Sequence, residues 1–477
     1  MRLRLLPTLV LVLALTACGG GGGGGGEKSS ATAPAGASLV PASTPLFVAA
    51  TTDESSDQWQ KADALLKRFP GRDRLLEYVR KELAQEGISY ERDLRPALGP
   101  EVDLAVFDFE DADNSAVGMT KPDDPDKLVA LLQKSDDPPK VIKKRDDGWV
   151  VFSDSQAAVD KLGTDGPKLA DSDDFKDALD ELPDDALASA WVAGKPARDL
   201  LQQQAEDQAD SASLTYFRKL EWAAAAVEAR EDGAAVEIAA KGLSQTATTY
   251  KSALLDKVPS DALLFATTNP PGESVDAGVR ALGPQAPFLE GVIGIKIPDL
   301  ANLLKGELTF YARAGTPIPE AALVFEDDSS RNVATLDKLA TKAASSFGGE
   351  APTTTTIDGV QMKELRFGPV GVFYGRVDGR ILVTDTRNAI RDLREGAQHS
   401  LADDDIFKAA KDAAGMPDEN AGFVYANLKD GIPEVEGLAN DSIPPDVQAN
   451  LRPLRTLLAW ASVDGDVLKY AIFVEIK

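Results

Sequence analysis

The chain of 477 residues carries one thiol, Cys18, and one imidazole, His399, against 77 carboxylates. These three groups bound its chemistry. Histidine is the commonest general base, yet His399 lies in Gly396-Ala397-Gln398-His399-Ser400, a polar linker between two expected helices. The matching stretch of the earlier half, Gly163 to Lys168, has no histidine, so an exposed or merely structural role is expected. One imidazole and one thiol cannot assemble a zinc ligand set, and neither a metal nor a cofactor is expected. Cys18 stands out by its position. It follows Leu15-Thr16-Ala17, after a cationic start at Arg2 and Arg4 and an apolar stretch from Leu5 to Leu15. That is the layout of a secretory signal.

The carboxylates select no site. The densest run, Asp108 to Asn114, lacks the glycine and distal glutamate of an EF-hand. Its counterpart Arg313 to Pro317 has no acid, so a solvated loop is expected. Asp123 to Asp126, Asp171 to Asp174 and Asp403 to Asp405 precede expected helices, where carboxylates cap free N–H groups and complement the helix dipole. There is no Gly-x-Ser-x-Gly elbow and no Walker-type loop. A glycosidase needs only two carboxylates, so inventory leaves that class open while naming no pair. Tryptophans 59, 149, 191, 222 and 460 could line a sugar cleft, but Trp149 aligns with Arg380 and Trp191 with Phe423 across an internal repeat. Packing is the expected role.

Leu15-Thr16-Ala17-Cys18 resembles the lipobox of bacterial lipoproteins. That resemblance implies a signal peptide over 1–17, diacylglycerol on the Cys18 sulfur, and anchoring to the outer face of the cytoplasmic membrane in the cell envelope. It also removes the only thiol from catalysis. The apolar stretch is short of the roughly 20 residues a spanning helix needs. Loss of Arg2 and Arg4 would leave 49 basic against 77 acidic side chains, a net charge of −28. Such a surface is repelled by phosphate backbones, which argues against nucleic acid and against electrostatic membrane docking. The acyl chains must supply the anchor.

Gly19 to Gly26 and the Ala/Pro/Ser-rich residues after it read as a flexible tether over 18–38. The body beyond the tether is duplicated. Leu169-Ala170-Asp171-Ser172-Asp173-Asp174-Phe175-Lys176 recurs as Leu401-Ala402-Asp403-Asp404-Asp405-Ile406-Phe407-Lys408, six identities in eight at an offset of 232. Asp147-Gly148 recurs at Asp378-Gly379, Asp232-Gly233 at Asp464-Gly465, and Val40-Pro41 with Leu46-Phe47 at Val258-Pro259 with Leu264-Phe265, in the same order. The expected halves are 39–246 and 255–477. In each, an apolar strand leads into helices, a strand pair, a helix, an Asp-Gly hairpin, two more helices, a strand and a closing hairpin. In the last arm Val467, Tyr470, Ile472 and Val474 read as a half-buried strand. The class is α+β, two tandem homologous halves, each a mostly antiparallel sheet backed by helices.

The layout of lipobox, low-complexity tether and duplicated body resembles a domain-of-unknown-function family of bacterial envelope proteins. The resemblance implies a non-enzymatic envelope protein and transfers no catalytic residue. The expected function is a lipid-anchored binding or scaffolding module whose partner is an envelope protein, polymer or lipid. The alternatives are a carrier for a lipid or other hydrophobic ligand, which requires a deep apolar pocket, and a carboxylate-dependent hydrolase, which requires two acids facing each other across an open cleft.

Overall fold

The computed structural model describes residues 33–135, 137–208, 217–244, 247–316, 318–438 and 443–477. The expected signal segment 1–17, Cys18 and the expected tether as far as residue 32 lie outside them. Eight strands come from the first half: β1 (Leu46–Thr51), β2 (Glu101–Val106), β3 (Ala116–Thr120), β4 (Val141–Lys144), β5 (Val150–Ser153), β6 (Ala188–Ala193), β7 (Trp222–Arg230) and β8 (Gly233–Lys241). Ten come from the second: β9 (Ala262–Thr268), β10 (Leu308–Arg313), β11 (Glu320–Phe325), β12 (Thr353–Ile357), β13 (Val360–Phe367), β14 (Val370–Val377), β15 (Arg380–Thr384), β16 (Gly422–Asn427), β17 (Leu454–Asp464) and β18 (Val467–Ile476).

Pairing is antiparallel throughout. The first half runs β4-β5-β3-β2-β1-β6-β7-β8. The second, from its own far edge, runs β14-β15-β11-β10-β9-β16-β17-β18, with β13 and β12 added outside β14. The two orders are the same. β8 pairs with β18, so the halves merge into one 18-stranded sheet.

The duplication is legible in the packing. Phe47 meets Phe175 at 6.1 Å and Phe175 meets Trp191 at 5.6 Å, while Phe265, Phe407 and Phe423 form the matching trio at 5.1 and 5.9 Å. Each trio ties the first strand of its half to the helix Asp173–Asp180 or Asp405–Ala414 and to the strand after it. Edge-to-face and tilted contacts of this kind add to the area the rings bury. All five tryptophans are buried, so none lines a cleft. Across the seam the cores exchange residues: Ala235 of β8 joins the second core and Val467 of β18 the first.

Two of the expected turns shift by a residue: that expected at Asp464-Gly465 falls on Gly465-Asp466, because Asp464 pairs with Val467. Val377 pairs with Arg380 across a two-residue turn in which Asp378 and Gly379 have φ of 48° and 74°, the left-handed geometry that fits strand twist. An unforeseen hairpin, β12–β13, uses Asp358-Gly359 in the same way, with φ of 49° and 79°. The turn expected at Asp232-Gly233 instead falls on Glu231-Asp232, and Gly233 opens β8. The reason is close approach: a Cβ there would stand 2.2 Å from the Val474 carbonyl oxygen of β18.

Candidate functional site

Residues directly opposite each other in a ladder point to the same side of a sheet. The register therefore sorts the central strands by face. On one side Ala235 pairs with Phe473 and Ala239 with Lys469, toward the two cores. On the other, Ala234, Val236, Ile238 and Ala240 oppose Val474, Ile472, Tyr470 and Leu468. The ends of that second face are covered. Ala240 and Leu468 pack with Leu220 and Leu243, and Val474 lies against Leu65 and Ile476.

The middle is not. One row runs from Val48 of β1 through Ala190, Ala225, Ile238, Tyr470 and Ala461 to Gly422 of β16. The next runs from Ala50 through Ala188, Val227, Val236, Ile472, Ala459 and Val424 to Ala266 of β9. Neither row holds a charge, and the Tyr470 hydroxyl is the only polar side-chain atom. Val227, Ile238, Tyr470, Ile472 and Val424 are 38–46% exposed among the described residues. Eight strands at about 4.8 Å spacing make this floor roughly 34 Å across. Contiguous apolar surface on that scale marks an interaction site in a folded protein.

Sequence reasoning misses this site because both faces of β18 are apolar. Alternation around Tyr470, Ile472 and Val474 points to them as the buried side, whereas Phe473 and Ala471 face the core and Tyr470 and Ile472 are open. The available signal is the unbroken apolar run Tyr470 to Val474, which fits a strand that packs on both faces.

A second cluster is acidic and buried. Asp103 of β2 is 1% exposed, and neither of its carboxyl oxygens has a hydrogen-bond partner among the described residues. Burial foremost, then the charge of Glu101, pushes its pKa up to about 9, so it is a protonated acid at neutral pH. Gly36 packs onto it: a Cβ there would fall 2.2 Å from Oδ2. Glu101 accepts from the Ala35 N–H at 2.8 Å, which fastens the lead-in turn to β2.

The second half repeats the fastening. Glu307 accepts from Ser252 Oγ at 2.6 Å and from the Ala253 N–H at 3.2 Å, and Thr309 stands where Asp103 does, 3.1 Å from Thr267 Oγ1. Both carboxylates hold backbone.

The residues singled out in the sequence are not brought together. Cys18 lies outside the described residues. His399 is exposed, and its carbonyl accepts from the Ser260 N–H at 2.9 Å. Asp124 caps the helix Pro125–Lys134 through the Asp126 and Lys127 N–H groups, and Asp404 caps Asp405–Ala414 through the Phe407 N–H at 2.7 Å. Asp108 and Asp111 bond within their own loop, to the Glu110 N–H and the Asn114 side chain. An internal cavity beside Leu254, Val258, Thr309 and Tyr311 has a volume of about 10 Å³, room for a water and not for an acyl chain. No described helix is long and apolar enough to cross a membrane.

A sequence profile of the family described as "Protein of unknown function (DUF3352)" matches residues 7–138 and 127–476 in two overlapping segments. No curated protein matches. Two solved structures do. "Structure of crystal form IV of TP0453" has a TM-score of 0.25 and 10% identity over 47% of this chain and 93% of that one. "Structure of crystal form I of TP0453" has a TM-score of 0.23 and 11% identity over 48% and 93%. At those scores neither likeness carries an argument about this chain.

Proposed function

The chain belongs to the DUF3352 family of proteins of unknown function, and we propose that it is a lipid-anchored, non-enzymatic binding module of the cell envelope, held to the outer face of the cytoplasmic membrane through Cys18. Its binding surface is the two-row apolar floor that crosses the seam at Ile238 and Tyr470. The observation that carries this reading is the continuity of that floor over both halves without a charged side chain.

The occupant is a basic amphipathic segment of an envelope protein. Its apolar stripe meets the floor, and its cationic flank suits a chain of net charge −26. A carrier that shelters a lipid is less well supported, because the floor is open and the cavity in the second core holds about 10 Å³. A hydrolase is less well supported because Asp103, the aspartate whose pKa burial raises most, is sealed beneath Gly36.

The test is mass spectrometry of material co-purified after gentle detergent extraction, comparing the native protein with Tyr470→Asp and Ile238→Asp. Both side chains are exposed, so neither change should unfold the protein. The expected result is a basic polypeptide retained by the native protein and lost from both variants. A lipid or sugar retained equally by all three would overturn the reading.

A further inference from the structure

The sheet ends in two strands with a single neighbour each among the described residues. At the far edge of the first half β4 pairs only with β5, and at that of the second β12 pairs only with β13. An unpaired edge is a template for another strand, and natural sheets blunt it with charge, lysine above all. β4 follows that rule, with Lys143 and Lys144 among its four residues and Lys140 just before them. β12 does not. It reads Thr353-Thr354-Thr355-Thr356-Ile357, without a charge and with every residue β-branched, which suits a strand. It belongs to the hairpin that the second half adds outside β14 and the first half lacks.

The register of that hairpin determines which groups are free. Ile357 pairs with Val360 across the two-residue turn Asp358-Gly359, so the two exchange hydrogen bonds, and Ile357, Thr355 and Thr353 bond to β13. Thr354 and Thr356 alternate with them, so their N–H and C=O groups point away from the sheet. Neither residue has a backbone hydrogen bond elsewhere among the described residues. Their side chains are exposed too, whereas Ile357 is 4% exposed and fixes the strand in the second core. Toward the N-terminus the open edge stops at Pro352, which has no N–H to offer.

This edge is its own complement. When two β12 strands meet antiparallel about Thr355, Thr354 of each copy stands opposite Thr356 of the other, and every outward N–H of the two residues meets an outward C=O. Thr353 then opposes Ile357 and Asp358 opposes Pro352, so no acid faces an acid. That matters in a chain of net charge −26, whose copies repel each other on approach. Cross-strand threonine pairs also stabilise a sheet. The seam between the halves is already a junction of this kind, with the equivalent strands β8 and β18 paired at Ile238 and Tyr470. We propose that two copies of the chain pair through β12, antiparallel and centred on Thr355, into a twofold dimer whose sheets run on into each other. A five-residue ladder buries less than the roughly 1,200 Å² of a standard interface, which makes the dimer weak and concentration-dependent. It uses neither the apolar floor nor the anchor.

The experiment is oxidative cross-linking of the full protein, extracted in mild detergent, with copper phenanthroline as oxidant and non-reducing gels as readout. In the proposed pairing the two Thr355 residues form a non-hydrogen-bonded pair with Cα atoms about 4.5 Å apart, within disulfide reach. The unsubstituted chain is the blank: a dimer there reports a free Cys18 thiol, which counts against the anchor alone and is removed by adding Cys18→Ser to every variant. The expected result is severalfold more dimer from Thr355→Cys than from Tyr78→Cys, an exposed position of the first half at 61%. Adding Thr354→Pro or Thr356→Lys should reduce that yield severalfold. The proline removes an outward N–H that β13 does not use, and the lysine is a surface change, so the thermal unfolding midpoint should stay put in both. No dimer from Thr355→Cys, an equal yield from Tyr78→Cys, or a yield that neither added substitution lowers overturns the proposal.

Discussion

Ile238 of β8 pairs directly with Tyr470 of β18, and each is the other's counterpart across the repeat of 232 residues. In an antiparallel ladder joining two copies of one strand, a pair of this kind marks where the pseudo-twofold passes. The halves therefore meet as two subunits of a symmetric dimer would, with the same patch used twice. This explains why the floor runs uninterrupted from β1 to β9, and why each core borrows a residue from the other half's last strand.

Charged side chains close the seam on its core side. Arg230 donates to the Ala414 carbonyl at 2.7 Å, pairs with Glu237 at 2.5 Å and with Glu228, and lies 5.7 Å from the centre of the Phe473 ring. In the reverse direction Lys469 of β18 reaches Glu181, at the end of the first half's helix. Burial raises the pKa of Glu228 against the opposing pull of Arg230. Arg230→Ala removes the cation and leaves that carboxylate buried, which should cost about 3 kcal/mol. Lys469→Ala, at a third exposed, should cost less than about 1 kcal/mol. Urea unfolding with hydrogen exchange read at β8 and β18 checks both, and equal effects would discount the buried clasp.

Asp103 gives the protein a pH dependence of definite sign. Its folded pKa, about 9, lies above the ordinary carboxyl value of 3.8, so the folded state holds a proton that the unfolded state releases. Its contribution is fully present below about pH 4 and is lost as pH rises through about 9. Asp103→Thr, which installs the residue type of Thr309, should remove that loss and stabilise the protein at neutral pH by on the order of 3 kcal/mol. The gain should shrink toward pH 4. Thermal unfolding of both proteins from pH 4 to 9 measures it, and a gain independent of pH would show that packing and not titration is responsible.

The elements are legible in the sequence where an apolar run is bounded by turn or cap residues. Leu46 to Ala50 after Pro45, Glu320 to Phe325 after Pro319, Ala188 to Ala193 between Pro183-Asp184-Asp185 and Gly194, and Pro125 to Lys134 after Asp124 match their expected bounds to within a residue. Tyr470 and Ile472 fall on the opposite face from the expected one because β18 is apolar on both, and alternation then cannot say which face looks inward. The joining of the halves is not legible at all. Pairing between β8 and β18 depends on which strand edges are left free, a property of the whole topology. Asp103 is hidden for a similar reason: nothing local tells a solvated aspartate from one sealed under Gly36.

Two glycines separate a backbone requirement from a steric one. Gly359 has φ of 79° and open space where a Cβ would go, so Gly359→Ala should cost about 1 kcal/mol through conformation alone. Gly118 of β3 has ordinary strand geometry, but a Cβ there would lie 2.3 Å from the Phe152 ring of β5. Gly118→Ala should cost more, about 1–3 kcal/mol by overpacking, and Phe152→Leu should partly rescue it. Denaturant midpoints of the three variants check the distinction, and rescue of Gly359→Ala by any neighbouring truncation would contradict it.

Cys18→Ala tests the anchor, and the choice of readout matters. The apolar segment Leu5 to Leu15 would remain on an unprocessed chain, and a hydrophobic segment of that length can hold a protein to membranes without acylation. Membrane fractionation alone therefore cannot report the modification; intact mass can. The native protein should begin at Cys18 and carry the added mass of diacylglycerol, whereas Cys18→Ala should retain residues 1–17 and no acyl chain. An acylated Cys18→Ala protein, or a native protein with a free Cys18 thiol, would refute the assignment.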